Sequence, residues 1–135
     1  MTVSADPLKV LILEDRLTDA ELMLYELRKE GYQPDFQRID SEDEFLDCLD
    51  EPWDIILSDY TMPQFNASRA LQLLRERGYP IPFIVVTGDI GEGVAVQMIK
   101  QGATDYLLKD RLSRLRPAVA TGLHEFATAP KKQET

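Results

Sequence analysis

The sequence predicts one doubly wound α/β domain, a five-stranded parallel sheet with helices on both faces. Three observations point there. Short, near-continuous apolar runs, the mark of parallel strands buried on both faces, recur along the chain. Stretches with apolar residues at helical spacing separate them, so strand and helix alternate as βαβ units with right-handed crossovers require. Four of the runs also stop at an acid, a hydroxyl or an amine: Val10 to Leu13 at Glu14 and Asp15, Ile55 to Leu57 at Asp59, Phe83 to Val86 at Thr87, and Tyr106 to Leu108 at Lys109. Open α/β sheets bind ligands beyond the carboxyl ends of their strands, so these groups are expected to meet in one place.

Each element has a local reason. Strands are expected over Lys9 to Glu14, Asp35 to Ile39, Trp53 to Ser58, Phe83 to Thr87 and Asp105 to Lys109, all but the second rich in β-branched or large apolar residues. Thr18 with Glu21 and Ser41 with Glu44 read as capping boxes opening the first two helices, the first carrying Leu22, Met23, Tyr25, Glu26 and Leu27. The third helix places Ala70, Leu71 and Leu74 inward, and the fourth Val94, Ala95, Met98 and Ile99. Gly31, Gly78 and Gly102 suit the C-terminal caps of the first, third and fourth helices. Pro117 fits the first turn of a last helix running to about Phe126, with Leu112 and Leu115 in a turn before it and Val119 and Leu123 facing inward. The domain is expected over 8–126, with flexible tails at 1–7 and 127–135.

Composition narrows the function classes. With 24 acidic and 15 basic residues among 135, the formal charge of −9 disfavours nucleic acid and anionic membranes as partners and favours a divalent cation or a basic surface. The lone Cys48 excludes an intramolecular disulfide and reads as a small hydrophobe on a helix. No apolar stretch approaches the ~20 residues that span a bilayer, and the first residues lack the features of a signal peptide, so a cytoplasmic location is expected. A chain of this length can bury roughly 70% of its unfolded surface.

The strand-end residues suit phosphoryl chemistry. Glu14, Asp15 and Asp59 in one shallow cleft repel one another unless a hard cation sits among them, and Mg²⁺ needs few protein carboxylates while leaving positions for phosphate oxygens. Asp59, behind a buried run, is the candidate nucleophile toward phosphorus. Lys109 can offset phosphoryl charge and Thr87 can donate its hydroxyl to a phosphoryl oxygen. Taken singly, each has a blander role as a solvated strand end or turn residue. Gly88 to Gly93 lacks the lysine and Ser/Thr of a nucleotide-binding loop, and His124, the only histidine, reads as a solvent-facing helix residue.

Four segments together resemble the receiver domain of two-component response regulators, a chemotaxis-regulator-like family: Val10 to Asp15, Asp59-Tyr60-Thr61-Met62-Pro63, Val85-Val86-Thr87-Gly88, and Gly102 to Lys109. The resemblance implies a flavodoxin-like sheet of order 2-1-3-4-5. It implies that Asp59 takes a phosphoryl group from a phosphohistidine of a histidine kinase or histidine phosphotransfer protein. Glu14, Asp15, Asp59 and the main-chain carbonyl of Thr61 would hold Mg²⁺. Thr87 and Tyr106 would form the switch pair, Tyr106 rotating inward on phosphorylation, and Lys109 would bind the phosphoryl group. Downstream partners or an output domain would read the surface of the fourth helix, fifth strand and last helix, around Val94 to Gln101 and Arg111 to Ala118. The chain is then a monomer or weak homodimer, not a metabolic enzyme: a stand-alone regulator, or the receiver portion of a longer regulator or hybrid kinase. The alternative is a Mg²⁺-dependent phosphatase or phosphotransferase acting on a small substrate through Asp59.

One position departs from the family pattern. Asp110 stands where a proline in a cis peptide usually follows the lysine, which predicts either a trans bond with a shifted loop or a strained cis bond. Thr61 and Asp89, two residues beyond Asp59 and Thr87, are placed to influence hydrolysis of the phosphoryl group.

Overall fold

The computed structural model describes residues 6–60, 62–88 and 92–127. The expectations for Thr61 and Asp89, and for 1–5 and 128–135, therefore lie outside the described residues. Five strands, β1 (Asp6–Leu13), β2 (Tyr32–Ile39), β3 (Ile55–Ser58), β4 (Phe83–Thr87) and β5 (Asp105–Leu108), alternate with α1 (Leu17–Lys29), α2 (Glu42–Cys48), α3 (Ala67–Glu76), α4 (Glu92–Gln101) and α5 (Leu115–Ala127). The strands form one parallel sheet in the order β2-β1-β3-β4-β5, the expected doubly wound arrangement. The first strand and last helix reach one or two residues beyond the expected 8–126 at each end.

The period-two alternation of the strands divides the core. Leu11, Leu13, Ile56, Phe83 and Val85 pack with Phe45 of α2, Ala70, Leu71 and Leu74 of α3, and Met98 of α4. Their neighbours Val10, Ile12, Ile55, Leu57, Ile84 and Val86 pack instead with Met23 and Leu27 of α1 and with Leu115 and Val119 of α5. Both faces of the three central strands are thus dry, which is why β3 and β4 are buried at every position. β2, on the edge, tolerates Pro34 because its missing N–H need not serve a second neighbour.

Helix ends follow local chemistry, with one departure from expectation at the start of α1. Ser41 caps α2 as predicted: its Oγ accepts the Glu44 N–H at 3.2 Å, while Glu44 Oε1 accepts from the Asp40 N–H at 3.1 Å. Asn66 caps α3 by accepting the Arg69 N–H at 2.9 Å. Thr18, however, does not cap α1. That helix starts at Leu17 with Arg16 as N-cap and no side-chain capping bond. The Arg16 N–H is taken instead by Glu14 Oε2 at 3.1 Å, so the strand-end acid draws the chain straight into the helix. In α4, Met98 is buried but Ile99 is 47% exposed, outside the narrow stripe that meets the sheet. Leu22 and Tyr25 of α1 are likewise exposed. Pro117 occupies the third position of α5, still within the turn whose N–H groups lack helical partners.

A basic side chain fastens the α3 end of the fold. The Arg75 guanidinium donates to the carbonyls of Tyr79 at 3.2 Å, Ile81 at 3.3 Å and Gly102 at 2.8 Å. Gly102 has φ +113°, and a Cβ there would lie 3.0 Å from Arg75 Nε. Trp53, the only tryptophan, is buried and donates its Nε1–H to the Cys48 carbonyl at 2.7 Å. Cys48 ends α2 and is buried, which pushes its thiol above the ordinary range.

Urea unfolding followed by Trp53 fluorescence should show Leu71→Ala destabilised by about 2–5 kcal/mol, because the emptied site is sealed between α3 and the sheet. Gly102→Ala should cost about 1–3 kcal/mol through its positive φ and the crowding of Arg75.

Candidate functional site

Backbone pairing sets the acids side by side. Glu14 follows β1, its N–H bonded to the Ile39 carbonyl at 3.0 Å, and Asp59 follows β3, its N–H bonded to the Leu13 carbonyl at 2.8 Å. Arg38 Nη1 donates to the Glu14 carbonyl at 2.9 Å, and Ser58 Oγ to the Asp59 carbonyl at 2.8 Å. One carboxylate oxygen from each of Glu14, Asp15 and Asp59 lies within 4.8 Å of the others. Glu14 is fully buried, Asp59 is 7% exposed, and Asp15 is the most open of the three.

Lys109, just past β5, enters this cluster. Its Nζ is 2.8 Å from Glu14 Oε1 and 3.4 Å from Asp59 Oδ2. Burial alone would disfavour its charge, but the close carboxylates of Asp19 and Glu14 outweigh it and hold the ammonium above its usual range. Burial raises the Glu14 carboxyl to about 6, against the opposing pull of Lys109 and the Arg16 N–H. Glu14 Oε1 meets Lys109 as a charge off the hydrogen-bonding direction, so this buried oxygen retains an unused acceptor site.

An open cleft of about 830 Å³ lies over the cluster, and Asp15, Asp59, Thr87, Tyr106 and Lys109 all line it. Thr87 is 4% exposed at the end of β4. Tyr106, expected to turn inward only on phosphorylation, is already 7% exposed and belongs to the core on the α3–α4 side. Every side chain of the expected site, Glu14, Asp15, Asp59, Thr87, Tyr106 and Lys109, is therefore in or around one cleft, and the Thr61 carbonyl lies outside the described residues.

At the departure, no described peptide is cis, and the chain leaves β5 through 3-10 turns over Lys109–Arg114 broken at Arg111, whose φ −130° and ψ 46° are not helical. The trans alternative holds, and Lys109 still reaches the acids. Asp110 is exposed, as is His124 in α5.

Two side chains beside the acid cluster had no place in the sequence reading. Asp19, in the first turn of α1, accepts from Lys109 Nζ at 2.7 Å, its shortest contact. Arg16 lines the cleft beside it, with Nε 3.8 Å from Asp19 Oδ2. The available signal was positional: a helix starting two residues after a strand-end acid brings its first turn back over that strand's carboxyl end.

Comparison with known proteins agrees with this geometry. Residues 10–120 match the response regulator receiver domain family. The chain is 29% identical over 104 residues to the phosphate regulon transcriptional regulatory protein PhoB of Klebsiella pneumoniae, covering 75% of this chain and 44% of that protein. It is 33% identical over 106 residues to Two-component system protein A of Emericella nidulans, covering 74% of this chain and 15% of that protein. The chain thus spans less than half the length of these relatives. Among solved structures, the signal receiver domain of a signal transduction histidine kinase from Syntrophus aciditrophicus superposes with a TM-score of 0.73 at 25% identity, over 95% of this chain and 97% of that one. The parallel sheet of order β2-β1-β3-β4-β5, the acids gathered at its carboxyl edge and the match over 10–120 make this chain a member of the response regulator receiver domain family.

Proposed function

We propose that the chain is a phosphorylatable signalling switch whose acceptor is Asp59. The observation that carries this reading is the convergence of Glu14, Asp15 and Asp59 with Lys109 at the carboxyl ends of β1, β3 and β5. An Asp59 carboxylate oxygen attacks the phosphorus of a phosphohistidine on a histidine kinase or phosphotransfer protein. The new P–O bond forms as the P–N bond breaks, and the imidazole leaves with its electron pair and takes up a proton. The same adduct is lost to water, so the chemistry is confined to the chain itself.

The residues fit a hard cation. Glu14, Asp15 and Asp59 place three carboxylates against one ammonium, and a buried Glu14 oxygen keeps an open acceptor site. All-oxygen donors with partial access to solvent suit Mg²⁺, with the Thr61 main-chain carbonyl as a further ligand. When bound, the ion would screen the charge of the incoming phosphoryl group. Lys109 then holds one phosphoryl oxygen, and the Thr87 hydroxyl donates to another. Because Tyr106 is already buried, phosphorylation stabilises its inward position rather than creating it, a population shift read on the α4, β5 and α5 surface. That surface is proposed to meet a downstream protein or an output domain on the cytoplasmic side of the membrane. No helix among the described residues is long and apolar enough to cross one.

Three outcomes follow. Incubation with acetyl phosphate and Mg²⁺ should add one phosphoryl group by intact mass; no gain in wild type, or an equal gain in Asp59→Asn, overturns Asp59 as acceptor. Millimolar Mg²⁺ should raise the thermal midpoint of wild type, since only the folded state presents the acid cluster, and should raise that of Asp15→Asn much less. In EDTA, Asp59→Asn should be more stable than wild type by about 1 kcal/mol, because it relieves repulsion from two acids at the loss of one 3.4 Å contact to Lys109. Urea midpoints with and without EDTA check the sign.

A further inference from the structure

Lys109 is shared unequally. Its nearest oxygen is Asp19 Oδ2 at 2.7 Å, then Glu14 Oε1 at 2.8 Å, while Asp59 Oδ2 stands at 3.4 Å. Asp19 belongs to α1 and not to a strand end, and its side chain is 20% exposed. Arg16 Nε lies 3.8 Å from the same Asp19 oxygen and is itself largely exposed. One carboxylate oxygen thus has a close cation from just past β5 and a second, more distant one from the start of its own helix.

We propose that Asp19 is a positioning residue that holds the Lys109 ammonium on the α1 side of the cleft. A phosphoryl group on Asp59 then gains Lys109 only as the ammonium gives up Asp19. Arg16, already beside the released oxygen, takes over as its partner. The inference rests on the reading of Asp59 as phosphoacceptor and adds a residue that sets how strongly Lys109 responds to loading.

Charge-assisted contacts of this length are among the stronger hydrogen bonds, and this one is only partly screened. Whatever it contributes to the unloaded state is subtracted from the grip of Lys109 on the phosphoryl group, since a ligand shifts an equilibrium only by its differential interaction with the two states. The competing account makes Asp19 an ordinary acid in the first turn of a helix, favourable to the helix dipole. That role would not involve Lys109, so the two accounts separate on what Lys109 does.

The test is titration of the whole chain with beryllofluoride, an acyl-phosphate mimic, at saturating Mg²⁺. Wild type, Asp19→Asn and Asp19→Glu are compared, with the ε-methylene resonance of Lys109 followed by NMR. Asp19→Asn should bind the mimic about five- to tenfold more tightly, and Asp19→Glu should stay within about twofold of wild type. In free Asp19→Asn, the Lys109 resonance should already lie toward its position in the loaded wild type. Equal or weaker binding by Asp19→Asn, or a Lys109 resonance unmoved from free wild type, overturns the proposal while leaving Asp59 as acceptor. Failure of wild type to bind beryllofluoride at all overturns the phosphoacceptor reading and this inference with it.

Discussion

The structure of the site turns on an imbalance of charge around one ammonium. Lys109 meets Glu14, Asp19 and Asp59 within 3.4 Å, and Asp15 stands in the same cluster. A single lysine cannot neutralise so many carboxylates, and burial makes the remainder costly. Glu14 registers that cost in its raised carboxyl, and Lys109 in the extra affinity for its proton. The cleft is therefore poised for added positive charge, and the ammonium nearest the acids is already committed.

Such a cluster can exist only because the scaffold beneath it is rigid. β1, β3 and β4 run through the domain with both faces dry, and their backbone ladders fix where each chain emerges. The Glu14 and Asp59 N–H groups are still engaged by neighbouring strands, so the acids occupy the last tethered positions before the loops begin. Strand apolarity and cleft acidity are thus two ends of one arrangement. The dry sheet supplies the order that repelling side chains would otherwise disrupt.

Much of this was legible in sequence because its signals are local and repeated. Apolar runs bounded by polar residues gave the strands and their ends, and with them Glu14, Asp15, Asp59, Thr87 and Lys109. What escaped depended on contacts between distant elements. Thr18 with Glu21 is a sound capping signature, but the Glu14 carboxylate captured the Arg16 N–H and started α1 earlier. Asp19, in the first turn of that helix, meets a lysine 90 residues away. Ile99 fits helical periodicity, yet the stripe of α4 that reaches the sheet is narrower than the apolar face. The loop after β5 kept Lys109 in reach without the usual proline, since the 3-10 turns begin at the lysine itself.

Arg75 has a mechanical consequence for the fourth helix. By gripping the Gly102 carbonyl along with those of Tyr79 and Ile81, it ties the carboxyl end of α4 to the end of α3 and to the segment entering β4. The opposite end of α4 lies toward the cleft, where Val94 shares the lining with Thr87. The carboxyl end of α4 is therefore held by a guanidinium that also grips two carbonyls outside the helix, while its amino end borders the cleft through Val94 without such a clamp among these bonds of Arg75.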